Sequence, residues 1–141
     1  MKKLFANRKP GFWIALAAAL IGLVGAVAYL IVYAGTADPT TGEWDRVFKW
    51  LVFALALGGG LVCCAGEALR LRITPIVAGA CFAVALGMHL VETAYPLADV
   101  LTKVPFFGGN PTLAIAFSVV FALAALLNIV SAFMEHNAKV C

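Results

Sequence analysis

His89 and Glu92 lie three residues apart in a stretch, ALGMHLVETAYPLADV, that is almost wholly apolar until it reaches them. On a helix that spacing puts both on one face, where a neutral imidazole and a carboxylate can share a hydrogen bond, pass a proton or hold a cation. Ionisable groups inside membranes mark ion and proton pathways, so the pair is a candidate ion or proton site. The competing reading is a half-wet pair that ends the helix. Depth favours the second: counted from Ile73, His89 lies about 24 Å along a helix and Glu92 about 28 Å, near the boundary of a ~30 Å hydrocarbon core. Asn128, about 24 Å along from Thr112, is the most deeply placed amide and joins the candidate set. A hydrogen bond from it across the helices contributes about 0.6 kcal/mol.

Other chemistry finds less support. One histidine with the scattered acids Glu43, Asp45 and Asp99 has no spacing that forces a metal shell, so no metal and no cofactor is expected. His136 is expected on the side opposite His89, and the two cannot share a haem iron. Cys63, Cys64, Cys81 and Cys141 show neither CxxC nor CxxH spacing, and the vicinal Cys63–Cys64 pair reads as small packing residues on a reducing side. Glu67 and Arg70 read as a solvated pair at the rim. There is no carboxylate pair, serine–histidine set or nucleotide loop, so the chain is not expected to be an enzyme.

These groups need elements to position them, and composition says which kind. The 141 residues are 64% hydrophobic and 12% charged, with mean hydropathy +1.01. A soluble domain carries about 25% charged residues, so too little charge is present here to cover a water-facing surface. An all-α integral membrane protein is expected. Net charge is only +3 and basic residues do not interleave with aromatics, which excludes a nucleic-acid surface.

Spanning a bilayer takes about 20 apolar residues. Four segments qualify: Gly11–Ala34, Phe48–Gly66, Ile73–Ala94 and Thr112–Met134. The first follows a basic start but is about twice as long as the ~7–15-residue core of a signal peptide, and so reads as a retained span. Pro75 fits a first helical turn, Pro96 ends the third span, and Asn110–Pro111 fits a cap and first turn for the fourth. Short connections predict an up-down-up-down bundle in a single domain.

Lys2, Lys3, Arg8, Lys9, Arg70, Arg72 and Lys139 fall on one side of this arrangement, and Arg46, Lys49 and Lys103 on the other. Positive residues collect in the cytoplasm, so both termini are expected there, in a multi-pass protein of the cell membrane. Trp13, Trp44, Trp50, Tyr33 and Tyr95 are placed to form aromatic belts.

Small residues recur every four positions: Ala18–Gly22–Ala26, Ala54–Gly58, Ala56–Gly60–Cys64, Gly79–Ala83–Gly87 and Ser118–Ala122. Such stripes let helix backbones approach closely; Gly22, Gly58, Gly60, Gly79 and Gly87 are the expected packing positions. In size and span count the chain resembles the small multidrug exporters. Those rely on a glutamate in the first helix, and GFWIALAAALIGLVGAVAYLIVYA has no acid, so the likeness carries no residues across. The middle of the spans holds almost no polar group, whereas transporters place one near the midplane. The expected function is therefore an accessory subunit or oligomeric interaction protein, with the lipid bilayer and itself or another membrane protein as partners. The alternative is a minimal homo-oligomeric transporter or channel using His89 and Glu92.

Overall fold

The computed structural model describes residues 8–34, 48–103 and 110–135. Expectations placed on Glu43, Trp44, Asp45, Arg46, His136, Lys139, Cys141 and the first lysines lie outside these, as do those on the side chains of Tyr95 and Asp99. The described elements are helical: α1 (Pro10–Ala34), α2 (Trp50–Ala68), α3 (Thr74–Glu92), α4 (Ala94–Thr102) and α5 (Pro111–Ala132). All but α4 are long and apolar enough to cross a membrane, so the chain is a multi-pass membrane protein by its helices.

Their ends follow from local chemistry. Asn110 caps α5, its Oδ1 accepting the N–H groups of Thr112 (3.1 Å) and Leu113 (3.3 Å), and Pro111 supplies a first-turn residue with no N–H to lose. Pro75 does the same in α3. α2 ends in a Schellman turn: Leu71 N–H returns to Gly66 O at 2.8 Å and Arg70 N–H to Glu67 O at 3.2 Å. That motif needs a left-handed residue after the cap, and Arg70 takes it with φ 61° in place of the usual glycine.

Pro96 acts one turn upstream, because proline has no N–H to return to the carbonyl of Glu92. α3 accordingly stops at Glu92, two residues short of the expected Ala94. After a single turn residue, Thr93, the chain becomes helical again as α4, inside a segment expected to be a loop.

α1 and α3 each pack against α2 and α5, and scarcely touch one another. The exception is at the centre, where the Phe82 ring fills the middle and only glycine fits beside it. A Cβ on Gly22 would lie 2.1 Å from Phe82 Cζ. Two ends can be defined by contacts. At the proximal end, where α1 begins, Ser131 Oγ donates to Gly11 O at 2.9 Å, Lys9 pairs with Glu135, and Thr74 presses against Gly66, where a Cβ would meet its Cγ2 at 1.8 Å. At the distal end, Lys49 N–H donates to the Tyr29 hydroxyl at 3.2 Å and Lys49 Nζ lies 3.5 Å from Glu92 Oε1.

The five glycines expected to pack divide. Gly22, Gly60 and Gly79 face neighbouring helices, the second against Leu23 and the third against Asn128 and Ile129, whereas added Cβ atoms at Gly58 and Gly87 meet nothing within 4 Å. Spacing alone marked the stripes but not which side of each helix turns inward.

Candidate functional site

Near the distal end, four aromatic rings converge on one imidazole. α1 contributes Tyr29 and Tyr33, α5 contributes Phe117 and Phe121, each pair one turn apart and therefore on one face. His89 projects between them from α3, with ring centroids 5.6 Å from Tyr29, 6.2 Å from Phe117, 5.9 Å from Phe121 and 6.5 Å from Tyr33. The first three meet it edge to face, the arrangement that ring quadrupoles favour. Tyr29 also stacks on Phe48, 5.4 Å between centroids, which ties the chain ahead of α2 to the same cluster.

His89 is completely buried. Its Nε2 lies 3.2 Å from the carbonyl oxygen of Ala114 in the first turn of α5. A carbonyl can only accept, so Nε2 carries the hydrogen and neutral Nδ1 presents its lone pair. Among the described residues Nδ1 has no hydrogen-bond partner. A buried lone pair of this kind is a base and a ligand atom held in a fixed orientation.

The expected His89–Glu92 unit does not form. Although the residues are three apart, Glu92 turns outward to Lys49, its side chain 31% exposed, while His89 turns inward to α5. The half-wet pair expected at the helix end is not what forms: the carboxylate alone is partly exposed. Glu92 ends the helix beside a cation, and the ring is enclosed. Tyr33, expected in an interfacial belt, is 5% exposed and belongs to the core. The cage was visible in part as the i,i+4 pairs Tyr29–Tyr33 and Phe117–Phe121, but nothing in the sequence said that three separate helices would aim them at one point.

Asn128 is not part of this cluster. It lies toward the proximal end, fully buried, where its Nδ2 donates to Ala124 O at 2.8 Å and its Oδ1 accepts from Cys63 Sγ at 3.3 Å. Cys63 also reaches Ala15 O at 3.6 Å, so the thiol links α1, α2 and α5. Cys63 does pack as a small buried residue, with a cross-helix bond besides. Below it the expected solvated Glu67–Arg70 pair is replaced. Glu67 is 2% exposed, its carbonyl accepts from Arg8 Nη2 at 3.0 Å, and the Arg8 guanidinium sits 4.4 Å over the Phe12 ring. Partial burial pulls the Arg8 pKa down, with repulsion from Arg70 adding to it and Glu67 opposing.

Among the described residues no three histidine, cysteine or acidic side chains gather as a metal shell would require. A recess between α1 and α5, bordered by Leu20, Val24, Ala28 and Val120, shares Phe117 with the cage and is apolar throughout. Comparison with protein-family models, with curated proteins and with solved structures finds no match to this chain.

Proposed function

We propose that this chain is a small non-enzymatic membrane protein, an accessory subunit or oligomeric interaction protein, that associates through the outward faces of α2 and α3. One observation carries the reading. The outer faces of α1 and α5 are built from large side chains, among them Val24 and Ile31, Leu123 and Leu126, which suit acyl chains. The outer face of α3 has, among larger side chains such as Val84 and Val91, a run of small exposed residues, Ala80, Ala83 and Gly87, and an added Cβ at Gly58 on the adjoining α2 would meet nothing. Lipid gains nothing from small residues, whereas a second helix can approach them closely.

The arrangement that fits is an up-down-up-down bundle in the cell membrane with both termini in the cytoplasm. The lysine and arginine distribution supports that orientation, and the Lys9–Glu135 pair supports a shared side for the start of α1 and the residues after α5.

The test uses purified protein in mild detergent and in bilayers. Gly87→Leu and Ala83→Leu should leave the melting temperature of the chain unchanged while reducing self-association or recovery of a co-purifying subunit. Leu126→Ala on the outer face of α5 should do neither. Unaltered assembly in both leucine variants would overturn the reading.

A second reading has one observation behind it. The Nδ1 lone pair of His89 is the kind of group a proton pathway uses, and a transporter would pass a proton or cation through it. Glu92 and Asn128 do not line up with it, since each is bonded elsewhere. Proton flux into vesicles that disappears in His89→Asn, with assembly intact, would favour this reading over the first.

A further inference from the structure

We propose that α4 is an interfacial helix that lays an apolar face into the headgroup–acyl boundary of the bilayer, at the level where α3 ends. It rests on the position and sides of α4, independently of the proposed association through α2 and α3.

Position comes first. α3 has 19 residues and at ~1.5 Å each spans about 28 Å, close to the thickness of the hydrocarbon core. Its last residue, Glu92, pairs with Lys49, and Trp50 beside that lysine is 67% exposed, as a residue at a membrane–water boundary is. α4 begins two residues after Glu92, across the single turn residue Thr93. Its first turn therefore starts at the boundary itself. Thr93 is buried and its Oγ1 donates to His89 O at 2.8 Å, which anchors the bend to the end of α3.

The sides of α4 come next. With 3.6 residues per turn, Ala94, Leu97, Ala98 and Leu101 fall along one side, with Val100 and Thr102 on its two edges and Lys103 opposite. The protein leaves most of that apolar side open: Leu101 is 84% exposed, Ala94 and Ala98 are exposed and Leu97 is half-buried, and α4 touches α3 and α5 only lightly. In water such a helix of nine residues would be too short to persist without packing. A helix with one apolar side, a polar side bearing a cation and a place at the boundary has the interface as its solvent. Lys103, exposed and following the last turn, is placed to meet lipid phosphate.

Tryptophan can be placed on either side of α4 in the full-length protein. The parent keeps its own three tryptophans and serves as the background. Leu101→Trp, Ala98→Trp and Lys103→Trp are reconstituted separately in phosphatidylcholine vesicles, with and without bromine at a shallow acyl position. The emission added by Leu101→Trp should be quenched by the brominated lipid, with a loss about twofold greater than that from Lys103→Trp. Ala98→Trp should follow Leu101→Trp and replaces it if that variant does not fold. Unquenched emission at both apolar positions would mean that water, a second copy or another protein covers the face, and would overturn the proposal. Equal quenching on all sides of the helix would overturn it as well, because a helix lying on one face cannot produce it.

Discussion

The two buried polar regions of this molecule solve the same problem in different ways. Inside a membrane a polar group must find its partner within the protein. Around Asn128 the partners are direct: Asn128 bonds both Ala124 and Cys63, Cys63 reaches back to α1, and Ser131 bonds Gly11. At the distal end His89 has one bond through Nε2 and four aromatic rings around it, with Nδ1 unpartnered among the described residues. The Asn128–Cys63–Ser131 layer therefore reads as a structural lock between helices. The distal cage holds a group whose capacity for binding is not used up by the fold, and such groups mark functional sites more often than satisfied ones do.

The largest expected effect would break the centre that both regions share. Gly22→Leu drives a side chain into Phe82, where even a Cβ is too close, and should cost about 3 kcal/mol or prevent folding. Gly87→Leu, with open space around it, should stay within about 0.5 kcal/mol as a surface change does. Melting temperatures of the two variants check this. Equal values would mean that Phe82 moves aside and the two regions are not held by a common centre.

The lock and the cage can then be compared directly. Asn128→Leu takes the Oδ1 acceptor from the Cys63 thiol, which keeps only its longer contact with Ala15 O, and should destabilise by about 1–2 kcal/mol. His89→Phe keeps a ring in the cage and removes the unpaired nitrogen. The Ala114 carbonyl that loses Nε2 still accepts from Ser118 Oγ at 2.8 Å. That variant should change stability by less than about 0.5 kcal/mol. Reversibly unfolding both variants in detergent measures the difference, and a His89→Phe cost as large as that of Asn128→Leu would make the histidine a structural residue.

Ser131→Ala sharpens the comparison at one bond. Removing the Gly11 contact should cost about 0.6 kcal/mol, the usual worth of a side-chain hydrogen bond between membrane helices.

The smallest effect lies outside the membrane segments, at the proximal rim. The Lys9 hydrogen bond and charge hold Glu135 below the usual carboxylate range. A lowered folded-state pKa contributes stability that is present above the unfolded value and lost as pH falls through the folded one. Both groups are solvent-facing, so the parent and Glu135→Gln should have nearly parallel melting curves from pH 8 to 5. They should converge slightly below pH 4.

Four membrane-length helices could be read directly from apolar run length and punctuation. The helix starts at Asn110–Pro111 and Pro75 were legible too, because capping and first-turn proline act within a few residues. The end of α3 was legible only approximately, since a proline withholds its N–H from the carbonyl one turn back, and α4 was hidden in a segment rich in proline and glycine. The site was legible by residue type and not by partnership. His89 and Glu92 share a sequence spacing, yet 3.6 residues per turn leaves their side chains about 60° apart, enough for one to turn toward α5 and the other toward Lys49.

What the sequence determined by itself was the solvent of each segment. With 12% charged residues, the chain has apolar stretches long enough that only a bilayer can accommodate them. Which small residues would pack, and which histidine neighbours would meet, depended on the rotation of each helix about its axis. Run length and period do not contain that angle. It is set by side chains on other helices, Phe82 seated in Gly22 and Gly59 and the four rings closing on His89, and only the tertiary structure brings those together.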